Sequence, residues 1–302
     1  MKRNVMLLSS FFSIALEASH QNFVAMDKWH GRFGDQLRLY AKAKTVSYLL
    51  GIPYLHRPFL FSNLLLLEKE EKKCPPLNCF DRVISIHKIA DLYTALERHK
   101  VGRTLYLIHF FIDVNPFKLP EEERNKLRKY ITPLKPVKQM PIPYNTETVA
   151  IHIREVEANH RRFFGIKGHN LRYYIERLES LLEHHQGKSF YVHVFTDNAK
   201  PGALIEKIKR NISRKIDTNF INFGCSSPKN QTSSAIIADF FNMAHFDYLI
   251  RPFGSGFSIM AQFIGRHKKI FSLTEKDATL PPLEKPLTRQ KPCYRTLKLT
   301  KQ

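Results

Sequence analysis

No internal stretch of this 302-residue sequence stays apolar for the about 20 residues that a bilayer-spanning helix needs. Low-complexity tracts are missing too, and a composition of 43% hydrophobic and 25% charged residues is that of an ordinary folded chain. Cysteine is scarce: Cys74, Cys79, Cys225 and Cys293 form no C-x-x-C pair and no zinc-site spacing. Cys74 and Cys79 flank a Pro-Pro turn and read as free thiols. There is no Walker motif and no G-x-G-x-x-G fingerprint, so neither P-loop ATPase nor dinucleotide-dependent dehydrogenase chemistry follows. RRM and zinc-finger signatures are also lacking, so no nucleic-acid partner is expected.

Acidic residues are in deficit, 27 Asp and Glu against 48 Lys and Arg, for a net charge of +21. A surplus of this size concentrates anionic partners around the chain, whether nucleic acid, lipid surfaces or phosphorylated substrates, without choosing among them. The basic residues are dispersed, with moderate clusters at 135–138, 207–215 and in the tail from Lys285.

The N-terminus admits two readings. Lys2 and Arg3 precede an apolar run from Val5 to Leu16, with Ala15 and Ala18 as small residues for cleavage, which is the layout of a secretory signal. Glu17 interrupts that pattern, and the alternative is a short surface-docking segment. Residues 1–21 are therefore set apart, with a cytoplasmic membrane-associated or a secretory location following from the choice.

From Asn22 the pattern opens as strand, glycine loop and helix. Asn22–Met26 reads as a strand, Asp35 as a cap, and Leu39, Ala43, Val46 and Leu50 recur at helical spacing until Gly51-Ile52-Pro53. Helices are expected at Ile89–Arg98 and Glu121–Tyr130, and a strand near Leu105–His109. Pro133, Pro136, Pro141 and Pro143 mark a linker, placed at 135–147 between units 22–134 and 148–302. Beyond it, strands at Thr148–Ile153, Phe190–Phe195, Phe220–Phe223 and Tyr248–Ile250 alternate with helices at Leu171–His185, Ala203–Asn211, Ser234–Ala244 and Phe257–Gly265. Ile270 and Phe271 begin a last strand. This alternation implies a mostly parallel sheet covered on both faces, with ligands at the carboxyl ends of its strands.

Four polar segments fall where such ligands bind. The strand Val149–Ile153 runs into Arg154, Glu155 and Glu157; His152 and Arg154 share one face, and Arg154 offers a planar fork of donors suited to a diphosphate. A surface Arg–Glu cluster is the plainer reading. Tyr191–Phe195 ends in Thr196, Asp197 and Asn198, of which Thr196 and Asp197 read as caps for the next helix. Asp239 and Asn242 precede the strand through Tyr248, and Gly254-Ser255-Gly256-Phe257-Ser258 then joins strand to helix in a natural anion site. The fourth segment is Gly31-Arg32-Phe33-Gly34-Asp35-Gln36, where glycines permit close backbone approach.

In this order the segments resemble the fucosyltransferase superfamily, which includes α-1,2- and α-1,6-fucosyltransferases and protein O-fucosyltransferases. GRFGDQ is similar to that family's G-x-x-G-N-Q loop, VAIHIR to its V-x-H-x-R strand, and DFFNMAHFDYLIRPFGSGFS to its D-x-x-x-M…S-S-F-S block. The resemblance implies an α/β, GT-B-like fold in which two Rossmann-like domains face each other across a cleft. It implies inverting transfer of fucose from GDP-fucose to a glycan or protein hydroxyl, with no metal or cofactor. Arg154 would hold the diphosphate, His152 and Asp239 the nucleoside, and Ser255, Gly256, Phe257 and Ser258 the phosphates. Gly31, Arg32, Phe33, Gly34 and Gln36 would face sugar and acceptor, with the catalytic base among Asp35, Glu155 and Glu157. Glu155 stands where many members have a second Arg, and Asp35 where they have Asn. The alternative these departures leave is a non-catalytic glycan- or nucleotide-sugar-binding module on the same fold. The +21 charge would suit an anionic membrane displaying a lipid-linked acceptor.

Overall fold

Apolar runs bounded by polar residues build the strands of this chain, and amphipathic segments between them build its helices. The computed structural model describes residues 20–27, 31–98, 102–154, 171–212, 216–226 and 232–273. The first half contains β1 (His20–Met26), α1 (Phe33–Leu50), α2 (Leu67–Glu70), β2 (Arg82–Ile86), α3 (Ile89–Arg98), β3 (Gly102–Ile108) and α4 (Glu121–Ile131). The second contains β4 (Glu147–Ile153), α5 (Leu171–Glu183), β5 (Phe190–Thr196), α6 (Pro201–Ile212), β6 (Ile221–Cys225), α7 (Ser233–His245), β7 (Tyr248–Arg251), α8 (Gly256–Ile264) and β8 (Lys269–Ser272).

All described strand pairs are parallel, in two sheets ordered β1-β3-β2 and β6-β5-β4-β7-β8. The chain is thus α/β with parallel sheets. In the second sheet the chain starts at the centre with β4, winds outward through β5 and β6, then returns to the other side of β4 as β7. That reversal between β4 and β7 is the topological switch point, where loops leave in opposite directions and open a crevice.

Alternation along β4 feeds two cores. Val149, Ile151 and Ile153 pack with Leu178, Ile205 and Ile208 of α5 and α6 on one face. Ala150, on the other face, joins a larger cluster with Phe195, Phe240 and Met260, and that cluster continues into Val24, Met26, Leu37 and Tyr40 of the first half. One apolar core therefore spans both sheets. The helix α1 lies inside it, which is why Leu37, Leu39, Tyr40, Ala41, Ala43 and Val46 are buried around most of its circumference. The Leu37, Leu39 and Val46 side chains each contribute about 1.5–3 kcal/mol when fully buried.

Two sequence expectations need correction. Asp35 is not the cap of α1 but its third residue. Gly31 adopts a left-handed φ of 73°, Arg32 is extended, and the helix starts at Phe33, with Asp35 turned back to accept from the Arg32 N–H at 3.4 Å. Asp197, read as a cap for α6, lies four residues before that helix begins at Pro201 and pairs with the first half of the chain, as described below. The proline-rich stretch 134–146 has neither helix nor strand, and Asn242 ties it to α7 by accepting from Met140 N (3.2 Å) and donating to Lys138 O (3.0 Å). Among the described residues no helix is long and apolar enough to cross a membrane, and Cys74, Cys79 and Cys225 are free thiols.

Candidate functional site

The carboxyl ends of β4 and β7 flank the switch point, and both carry polar residues. His152 is buried near the end of β4, with its ring 5.7 Å from the Phe257 ring; Arg154 follows the strand directly and is half-buried. After β7 the chain turns through Gly254, at a left-handed φ of 71°, and enters α8 at Gly256. Arg251 braces this turn, donating to Gln262 Oε1 at 2.7 Å and to the Pro252 carbonyl at 3.3 Å.

Ser255 occupies the cap position of α8, yet its side chain makes no capping hydrogen bond. The hydroxyls of Ser255 and Ser258 are both buried, at 2% and 0% exposure, and neither has a hydrogen-bond partner. Buried hydroxyls are normally satisfied, because leaving one unpaired costs about 1–3 kcal/mol. Two of them on the first turn of one helix, beside its outward-pointing N–H groups, form a set of donors suited to an anion.

The glycine loop of the first half meets this turn. A Cβ on Gly34 would overlap the Phe257 backbone, and one on Gly256 would overlap Asp35 and the Gly34 carbonyl carbon. The N-termini of α1 and α8 therefore abut, and their positive ends add at one place. Asp35 sits in the contact, hemmed in by Gly31 on one side and Gly256 on the other. Arg32 donates to Asp197 Oδ2 at 3.3 Å, linking the loop to the end of β5. Thr196 and Asn198 shape the turn that follows, by accepting from Asn198 N and Lys200 N.

Other expected site residues separate from this cluster. Phe33 is a core residue, 5.3 Å edge-on to Phe240. Gln36 is buried and holds backbone at both ends, donating to Gly31 O (3.0 Å) and accepting from Leu60 N (2.8 Å). Asp239 lines a cavity of about 640 Å³ formed by residues 133–141 and the face of α7, and none of His152, Arg154, Ser255 or Phe257 lines that cavity. Glu155 and Glu157 lie outside the described residues.

Three polar residues escaped the sequence reading. His193 is buried within β5, hydrogen-bonded to Tyr191 Oη (3.0 Å) and Ser226 Oγ (3.1 Å), and burial pushes its pKa down to about 4. Lys42 donates to the carbonyls of Phe110 (3.0 Å) and Ile112 (2.7 Å), with its pKa lowered to about 8 chiefly by burial. Arg251 is the third. A polar residue inside an apolar run, as in Tyr191-Val-His193-Val-Phe195, was the available signal for the first.

No protein-family model matches the chain, and no curated protein does. Among solved structures it is similar to a variant of Arabidopsis thaliana FUT1 in complex with GDP. The TM-score is 0.54 at 13% identity, covering 86% of this chain and 74% of that one. At this identity the likeness is one of fold.

Proposed function

We propose that the chain is a glycosyltransferase of the GT-B arrangement, with Rossmann-like units at 22–134 and 148–302 joined by 135–147, that takes its sugar from GDP-fucose. The observation that carries this reading is the first turn of α8. It lies at the switch point with two buried unpartnered hydroxyls and no side-chain cap, opposite a glycine loop from the other half. Such a turn suits a diphosphate. The fold likeness to a fucosyltransferase bound to GDP supports the same assignment.

In the proposed reaction an acceptor hydroxyl of a glycan or protein attacks the anomeric carbon of fucose as the bond from that carbon to the β-phosphate oxygen breaks. The departing GDP carries the electron pair. Arg154, Gly256, Phe257 and the Ser255 and Ser258 hydroxyls stabilise the charge that develops on it, a role fixed donors fill without reorganising. His152 is assigned to the nucleoside, whereas Asp239 lines a cavity that neither His152 nor Arg154 borders. The acceptor's proton passes to Glu155 or Glu157, because Asp35 accepts from the Arg32 N–H and is hemmed in by Gly31 and Gly256.

A second reading, a binding module without turnover, is favoured by one feature: the Asp35 carboxylate stands close to the place proposed for a diphosphate. The test is a panel of GDP-fucose, GDP-mannose and UDP-sugars, read by calorimetry and by hydrolysis. Selective binding and turnover of GDP-fucose supports the transferase, binding without turnover the module, and indifference to all donors contradicts both.

A further inference from the structure

We infer that Asp35 is a built-in competitor for the diphosphate at the N-terminus of α8, so that donor affinity is set by a carboxylate the chain itself places there. The inference rests on the diphosphate reading of that turn and concerns what regulates it.

The geometry begins with the two glycines. Because Gly34 and Gly256 lack side chains, the first turns of α1 and α8 approach until main chain touches main chain. Asp35 is the third residue of α1, and its Oδ1 lies so close to Gly256 that a Cβ there would overlap it. Its Oδ2 faces the opposite way, towards Gly31 and the Arg32 N–H. One carboxylate thus spans the positive ends of two helices, where negative charge is favoured.

The second observation concerns side chains rather than helix dipoles. Ser255 and Ser258 bury hydroxyls that find no acceptor or donor, and Asp35 bonds to neither. The carboxylate supplies charge at this turn without satisfying its donors. A diphosphate would do both, yet it must enter beside a group of the same sign. Two like charges a few ångströms apart in a partly buried crevice repel by several kcal/mol at most, and about 1.4 kcal/mol is already ten-fold in affinity. An amide at position 35 keeps the size and the Arg32 contact while removing the charge.

Calorimetric titration of inorganic pyrophosphate and of GDP into the full chain decides the matter, with wild type, Asp35→Asn and Asp35→Ser compared at one pH and salt. Asp35→Ser keeps a short polar group on the first turn of α1 and stands in if the amide variant folds poorly. The expected result is about ten-fold or more tighter binding of both ligands in the variants than in wild type. Equal or weaker binding in folded variants, with GDP affinity still dependent on Arg154, overturns the competitor and leaves the diphosphate reading standing. Failure of wild type and variants alike to bind either ligand overturns both.

Discussion

Gly34 and Gly256 meet backbone to backbone, each placed so that a Cβ on it would overlap main-chain atoms of the opposite helix. This contact joins the glycine loop of one half of the chain to the anion-type turn of the other, and the proposed chemistry depends on it. Gly34→Ala and Gly256→Ala are therefore expected to destabilise the fold by about 1–3 kcal/mol, because each new methyl meets main-chain atoms that cannot rotate away, and on Gly256 the Asp35 carboxylate as well. Urea unfolding measures this. Gly202→Ala is the control: it lies in α6 with open space around it, and its effect is expected within about 0.5 kcal/mol.

Asp247 fixes the start of the central sheet. Its carboxylate accepts from Thr148 N (2.9 Å) and Thr148 Oγ1 (2.8 Å) and pairs with Lys268 at 3.0 Å, so β4 and β7 are held in register from below. Burial raises the Asp247 carboxyl, but the Thr148 and Lys268 bonds outweigh it and hold it below its ordinary 3.8. A carboxyl depressed in the folded state contributes stability that is complete above its unfolded pKa and is lost as pH falls through the folded one. Asp247→Asn is expected to lower stability at pH 7 and to flatten its decline below about pH 4, read by denaturant midpoints across pH.

His193 gives a second, separate pH window. Burial holds its folded pKa near 4, against 6.5 for the free side chain. Between those values the unfolded chain binds a proton that the folded chain refuses. Stability from this group is therefore complete above pH 6.5 and declines as pH falls towards 4, by at most roughly 3 kcal/mol. His193→Phe should reduce the slope of stability against pH in that window while costing stability at pH 7, since Tyr191 and Ser226 lose their shared partner. An unchanged slope would show that His193 stays accessible to protons.

The ion pair between Arg32 and Asp197 bridges the two halves but is exposed, at 58% and 28% of the side chains. Its removal by Arg32→Ala is expected to change stability by less than about 1 kcal/mol. If Arg32 instead contacts the donor, the same substitution weakens GDP binding with stability preserved. A thermal melt and a titration on one sample separate the two.

The second sheet could be read from sequence because its central strands are buried on both faces: Val149–Ile153 and Phe190–Phe195 are apolar runs, interrupted by His152 and His193, that end in polar residues. The edge strand β2 was missed, since Arg82, Val83 and Ser85 are exposed and give no run long enough to recognise. The motif residues at the carboxyl ends of β4 and β7 were visible locally, as was the glycine loop. What was not visible is which of them touch. Asp35 looked like a cap because an acid at a helix start usually is one, and nothing near it in sequence announces Gly256. Asp197 looked like a cap for the same reason, whereas its partner Arg32 lies in the other half of the chain. Phe33 and Gln36 belong to a motif that suggests ligand contact, yet tertiary packing commits one to the core and the other to backbone.

Calorimetric titration of GDP into wild type and Arg154→Ala tests the diphosphate site itself. Saturable binding to the wild type is expected, with a loss of at least about 1.5–3 kcal/mol, ten-fold or more in affinity, when the charged donor is removed. A GDP affinity that is unchanged in the folded Arg154→Ala protein would contradict that site.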